Sequence, residues 1–147
     1  MENLNIAGAI ASIGAAIFAC WQAYSAKNYR DEIQTQRTKQ LLIELLSLGN
    51  RARSDCRKIG TQISAQARGV DRQAVLDVLR EFSEKFRDNL HRFKSDEISK
   101  TIVVLLQHIT KYASTEEESK RRETADEMYD NVSFLIADIT RRLDSKL

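Results

Sequence analysis

The sequence predicts an all-α fold: a single N-terminal transmembrane helix and stalk, followed by a cytosolic helical bundle. The helical class follows from two observations. The 147 residues include no proline and only 5 glycines, and residues of high helix propensity dominate the rest. The membrane segment follows from a third, since residues 3–26 contain no charged side chain although 30% of the chain is charged. One anchor and one domain are the natural organisation at this length.

Residues 1–26 are predicted to form the transmembrane helix. The stretch from Leu4 to Ala26 extends about 34 Å at about 1.5 Å per residue, which matches a hydrocarbon core about 30 Å thick. Basic residues follow this segment and only Glu2 precedes it, so the charge bias places the C-terminal side in the cytosol. The alternatives are a buried alanine-rich helix and a cleaved signal peptide, although the basic start of a signal peptide is missing.

Small residues recur at every fourth position along one face of this segment, at Gly8, Ser12, Ala16 and Cys20. Small side chains let membrane helices approach closely, although they also occur in spans that do not associate. This face therefore predicts a homo-oligomer.

Residues 27–40 contain no helix breaker and are predicted to continue the helix as a polar juxtamembrane stalk. Its basic side chains are expected to contact anionic membrane lipids. These side chains are Lys27, Arg30, Arg37 and Lys39.

Residues 41–147 are predicted to form the cytosolic helical domain, because four apolar stripes at three- and four-residue spacing indicate four helices. The first helix is expected to continue to about residue 67 before Gly69 ends it. Asp71 is the predicted N-cap of the second helix, and Ser95 or Asp96 that of the third. The stripes run from Leu41 to Ile63, from Val75 to Phe93, from Ile98 to Tyr112 and from Ala125 to Leu143.

The fourth helix has the clearest predicted start. The pairs Ser114/Glu117 and Thr115/Glu118 each have the three-residue spacing of a capping box. Its apolar positions follow heptad spacing, so they either fill a groove of the bundle or belong to a subunit interface.

No catalytic or metal-binding residue is predicted, and no cofactor. His91 and His108 have no accompanying nucleophile or ligand set, and no glycine-rich phosphate loop occurs. Cys20 and Cys56 lie too far apart in sequence to suggest a disulfide framework or a metal site. We therefore do not expect an enzyme.

A basic stretch is the feature that points to a ligand. Residues 37–68 contain seven basic side chains and two acidic ones. Two of the basic residues, Arg53 and Arg57, repel each other at i,i+4 spacing unless an anion or a carboxylate lies nearby, and a phosphate would suit this face. The alternative is that the acidic residues opening the fourth helix neutralise it, within one subunit or between subunits. The candidate ligand-binding residues on this face are Asn50, Arg53, Arg57 and Thr61.

Residues 16–30, Ala-Ile-Phe-Ala-Cys-Trp-Gln-Ala-Tyr-Ser-Ala-Lys-Asn-Tyr-Arg, look like the anchor-to-stalk junction of small bacterial membrane proteins from defence loci. The layout of one anchor and one cytosolic domain is similar to a membrane effector of type III CRISPR systems. The resemblance implies a homotetramer in the bacterial inner membrane whose cytosolic domain binds a cyclic oligoadenylate and transmits binding to the membrane helices.

Two other functions stay open at this point. One is a membrane-anchored helical scaffold that recruits a protein partner, and the other is a phage-derived lytic or exclusion protein that needs no small ligand. Duplex nucleic acid is not an expected partner.

Overall fold

The structure of the protein, a computed structural model, describes residues 2–61 and 69–145, with side chains from residue 14 onward. It consists of four helices, α1 (Glu2–Ile59), α2 (Arg72–Asp88), α3 (Asp96–Ser114) and α4 (Glu118–Asp144), and a 3-10 turn at Leu90–Arg92. The described ranges contain no strand, so the prediction of an all-helical protein is confirmed. The chain divides into two compact units, residues 1–40 and residues 41–147.

The first unit belongs entirely to α1 over its described residues, so the predicted stalk at residues 27–40 is helical. Every described side chain from residue 14 to residue 37 is exposed. Gly8 and Ser12 of the predicted small face lie outside the described side chains. Within the part of the chain that the structure describes, no helix is long and apolar enough to cross a membrane.

The second unit is a helical bundle in which α3 packs against α2 and α4, and α1, from residue 41 onward, contacts α2 and α4. α1 approaches α2 and α4 at Gly49, where a Cβ atom would lie 2.9 Å from Cγ1 of Ile136 and 3.1 Å from Cε2 of Phe82. Only a residue without a side chain allows this close contact. Lys85 of α2 also forms an ion pair with Glu44 of α1 at the bundle surface.

Most positions of the four predicted apolar stripes lie in the core of the bundle, which confirms them as its buried faces. The core also includes four residues from outside the stripes, Leu42, Leu76, Val78 and Ile136. The stripe residues that are only partly buried are Leu41, Leu48, Leu90, Leu106 and Leu143, and Ile63 lies outside the described residues. The heptad positions of α4 lie in this core, so they fill a groove of the bundle. The fully buried side chains include Leu45, Phe82, Phe86, Leu105, Leu135 and Ile139.

Two of the predicted helix starts are confirmed. The Asp71 side chain accepts hydrogen bonds from the backbone N–H groups of Gln73 and Ala74, at 2.9 and 3.2 Å, and caps α2. Ser95 Oγ accepts from the N–H of Ile98 at 3.5 Å and caps α3. These side chains satisfy N–H groups that have no partner inside the helix.

The predicted capping boxes of α4 are wrong. The hydroxyls of Ser114 and Thr115 donate to the carbonyl of Lys111, at 3.1 and 2.7 Å, and so close the end of α3 instead. α4 begins at Glu118, and its N-cap residue, Glu117, makes no side-chain capping hydrogen bond. Serine and threonine hydroxyls bind nearby carbonyls as readily as they cap, and here the preceding helix provides one.

The predicted end of the first bundle helix is also wrong, because α1 ends at Ile59 rather than near residue 67. The next residue is Gly60, and Thr61 then binds the Asp126 carboxylate of α4 through its backbone N–H and its hydroxyl. The end of α1 therefore coincides with a glycine and with a contact to α4, before the segment at residues 62–68, which lies outside the described residues.

Candidate functional site

Three of the four predicted ligand residues lie in the last ten residues of α1, and Thr61 lies two residues beyond its end, all on the surface of the bundle. Asn50 and Arg53 form a local pair, since Nη2 of Arg53 donates to Oδ1 of Asn50 at 3.0 Å. Asn50 is exposed and Arg53 is half-buried. This hydrogen bond engages one guanidinium nitrogen and leaves other N–H donors of Arg53 for a ligand.

Arg57 contacts α4 instead of its neighbours on α1. Its Nη2 donates to the Tyr129 hydroxyl at 2.8 Å, and its guanidinium carbon lies 5.1 Å from the centroid of the same ring. A cation over a tyrosine face gains about 0.5–1 kcal/mol at an exposed site. A cavity of about 210 Å³ opens here, lined by Arg57, Asp126, Tyr129 and Asp130.

Thr61 is held by Asp126, which accepts the Thr61 N–H at 3.2 Å and its hydroxyl at 2.5 Å. Gly60 permits this contact, because a Cβ atom there would lie 2.3 Å from Oδ1 of Asp126. Thr61 thus secures the end of α1. The structure places Arg57 and Thr61 against α4, and the Asn50–Arg53 pair on the α1 surface alone.

Within one subunit, the described residues at the acidic start of α4 do not form direct ion pairs with the arginines of α1. Among the described residues, no ion pair joins an α1 arginine to an α4 carboxylate, and neither Arg53 nor Arg57 is in an ion pair of any kind. Asp126 and Asp130 nevertheless line the cavity beside Arg57 and would repel an anion that enters it. The acidic residues pair elsewhere: Glu117 with Lys120, Glu118 with Arg72 and Arg122, and Glu127 with Lys111. Nε2 of His108 also lies 3.5 Å from the Glu127 carboxylate.

Sequence reasoning missed Tyr129, the residue that fixes the Arg57 side chain. The available signal was its position, one residue after the buried Met128 and three after Asp126, which makes it the aromatic residue of an acidic helix face.

Sequence reasoning also missed a second cavity of about 510 Å³ between α1 and α2, whose lining includes Arg51 and Lys58. Lys58 is paired with Asp55 at 2.5 Å, so the charge of that cavity is partly balanced.

Cys56 precedes Arg57 on α1 and lies in the bundle core, where it is 1% exposed. Burial, with smaller contributions from Asp55 and Asp126, raises the pKa of the thiol from 9.0 to about 12. The folded protein therefore keeps this group neutral in the range where the unfolded chain ionises. Consequently, the contribution of the Cys56 thiol to the free energy of unfolding is present below pH 9 and is lost as the pH rises from about 9 to about 12.

Cys56 is expected to resist alkylation in the folded protein. At pH 8 a pKa of about 12 leaves about a thousandfold less thiolate than a pKa of 9.0, and burial also blocks the reagent. In a Cys20→Ser variant, where Cys56 is the remaining thiol, iodoacetamide labelling followed by mass spectrometry should be at least about a hundredfold slower than after unfolding in guanidinium. Equal rates in the two conditions would contradict the buried position.

In the described ranges, no group of three or more histidine, cysteine, aspartate or glutamate side chains has an arrangement that could hold a metal ion. His91 is exposed, and Nδ1 of His108 lies 3.2 Å from the Asn131 amide between α3 and α4. The described side chains of the site therefore offer guanidinium, amide and hydroxyl donors beside carboxylate acceptors. The chain matches no protein-family model, no curated protein and no solved structure.

Proposed function

We propose that the protein is a single-pass inner-membrane effector of antiviral defence, whose cytosolic helical domain binds a cyclic nucleotide messenger and perturbs the membrane. The messenger is a cyclic oligoadenylate and the active form is a homo-oligomer, a tetramer in the family that the chain resembles. The observation that carries the proposal is α1 itself, which contains both the uncharged segment at residues 3–26 and three of the candidate ligand residues. In this proposal a ligand bound by the candidate residues acts on the same helix that contains the membrane segment.

The membrane part of the proposal is supported by the exposed side chains of the first unit. Ile17, Phe18 and Trp21 are 65%, 56% and 62% exposed, so the described part of the chain does not cover them. Contiguous exposed apolar surface of this kind is typical of membrane or protein contacts. The absence of charge from residue 3 to residue 26 favours lipid as the contact.

The ligand part is supported by two arginines, Arg53 and Arg57, that form no ion pair among the described residues. Each of them donates through one nitrogen to a neutral group, Asn50 or Tyr129. Guanidinium groups bind phosphate through strong, charge-assisted hydrogen bonds. In a symmetric oligomer several copies of these groups would meet one polyanionic ligand.

A membrane-anchored scaffold is the second candidate, and the outer face of α3 favours it. Val103 is 54% exposed, Val104 36%, and Phe134 of the adjacent α4 38%. An open groove of about 580 Å³ follows the same helix, with Val103, Leu106 and Thr110 in its lining. A protein partner could cover this apolar surface.

The topology gives a direct test of the membrane anchor. A green fluorescent protein fused after Leu147 should fluoresce in the membrane fraction, because it folds in the cytosol, whereas alkaline phosphatase fused at the same place should be inactive. A variant that lacks residues 2–26 should move to the soluble fraction and serves as the control. Active phosphatase, or a full-length protein found in the soluble fraction, would contradict the proposal.

A further inference from the structure

The first unit has a row of side chains that changes from aromatic to basic along the helix. Phe18, Trp21, Tyr24, Lys27 and Arg30 follow each other at three-residue steps, which form a ridge on a helix surface. All five are exposed, and the rings of Phe18 and Trp21 lie 6.0 Å apart between centroids. We call these five residues the aromatic-basic ridge.

The two cations of the ridge have no partner in the described part of the chain. Lys27 and Arg30 form no ion pair there, although Asp31 lies at i+4 from Lys27. They are about 4.5 Å apart along the helix axis and about 9 to 14 Å beyond Trp21, at about 1.5 Å per residue. Both charges can therefore reach one anionic group at the level where aromatic residues give way to charged ones.

We propose that the aromatic-basic ridge binds an anionic phospholipid in preference to a zwitterionic one. This inference rests on the proposed membrane anchor. Phe18 lies at the depth of the acyl chains and Trp21 and Tyr24 lie at the interface, whereas Lys27 and Arg30, about 60° apart around the helix, bind the phosphate of a headgroup. Asp31 and Glu32 follow Arg30 directly, about 1.5 and 3 Å farther along the helix axis, so the headgroup phosphate binds the two cations from the side of the apolar segment.

Trp21 is the single tryptophan of the chain, so its fluorescence reports directly on the ridge. The full-length protein is reconstituted in vesicles that contain equal amounts of phosphatidylglycerol and phosphatidylcholine, with bromine on the acyl chains of one lipid at a time. Brominated phosphatidylglycerol should quench Trp21 more strongly. Each basic side chain near the membrane surface favours an anionic lipid by about fivefold. The preference for phosphatidylglycerol over phosphatidylcholine should therefore be at least about fivefold, and it should weaken with added salt.

The double variant Lys27→Gln/Arg30→Gln should remove the preference and leave the total quenching unchanged. The matched control is Lys100→Gln/Arg141→Gln, which removes the same charges from exposed positions of α3 and α4. Equal quenching of the wild type by both lipids, or a preference that survives in the ridge variant, overturns the lipid site but leaves the anchor in place. No quenching by either lipid overturns the anchor as well.

Discussion

Replacing Arg53 or Arg57 with alanine is expected to weaken the binding of a cyclic oligoadenylate by about ten- to a hundredfold. Each substitution removes charge-assisted hydrogen bonds to phosphate, which contribute about 1.5–3 kcal/mol, and about 1.4 kcal/mol corresponds to a factor of ten. The measurement is isothermal titration calorimetry of the full-length protein in detergent, against cyclic and linear oligoadenylates. The cyclic form should bind more tightly if the site has the symmetry of a ring of subunits.

Two control variants separate a ligand site from a general charge effect. Arg141→Ala removes an exposed arginine at the end of α4 and should leave the affinity unchanged. Asp130→Asn removes one of the carboxylates beside Arg57 and should strengthen binding, because that charge repels the anion. Unchanged affinity in both arginine variants would move the site elsewhere. No binding by the wild type would favour the scaffold or the lytic protein.

The buried face of each helix could be predicted from the sequence because each helix has a continuous apolar stripe. Leu45, Phe82, Leu105 and Leu135 lie on stripes whose spacing leaves a single face for the core, and all four are 0% exposed. The N-cap at Asp71 could be predicted because it is local. The Asp71 carboxylate and the two backbone N–H groups that it binds lie within three residues of each other.

The remaining features depend on contacts between helices, which periodicity does not determine. The end of α1 coincides with the contact of Thr61 with Asp126, 65 residues away. Arg57 lies against Tyr129 because of the position of α4 along the axis of α1. The apolar pattern of each helix does not determine that relative position. By contrast, the pair of Asn50 and Arg53 is local, at i,i+3, and the sequence could place these two residues together.

Truncation of Phe82 to alanine is expected to cost about 3–5 kcal/mol of the free energy of unfolding of the bundle. The ring is fully buried, packs edge-to-face on Phe86 with centroids 5.7 Å apart, and lies against the backbone of α1 at Gly49. Removing it opens a cavity between α1 and α2 that rigid neighbours fill only in part. Since domains of this kind are stable by about 5–15 kcal/mol, the expected loss is about a fifth or more of the total free energy of unfolding.

The measurement is denaturant unfolding of the full-length protein in micelles, followed by far-ultraviolet circular dichroism, because Trp21 lies in the first unit and does not report on the bundle. Phe134→Ala is the matched control, since that ring is 38% exposed on α4 and its loss should cost about 1 kcal/mol or less. Phe82→Leu keeps most of the apolar volume and should recover more than half of the lost stability. Similar losses in Phe82→Ala and Phe134→Ala would contradict the core position of Phe82, because a partly exposed ring and a fully buried one differ in both transfer and cavity energy.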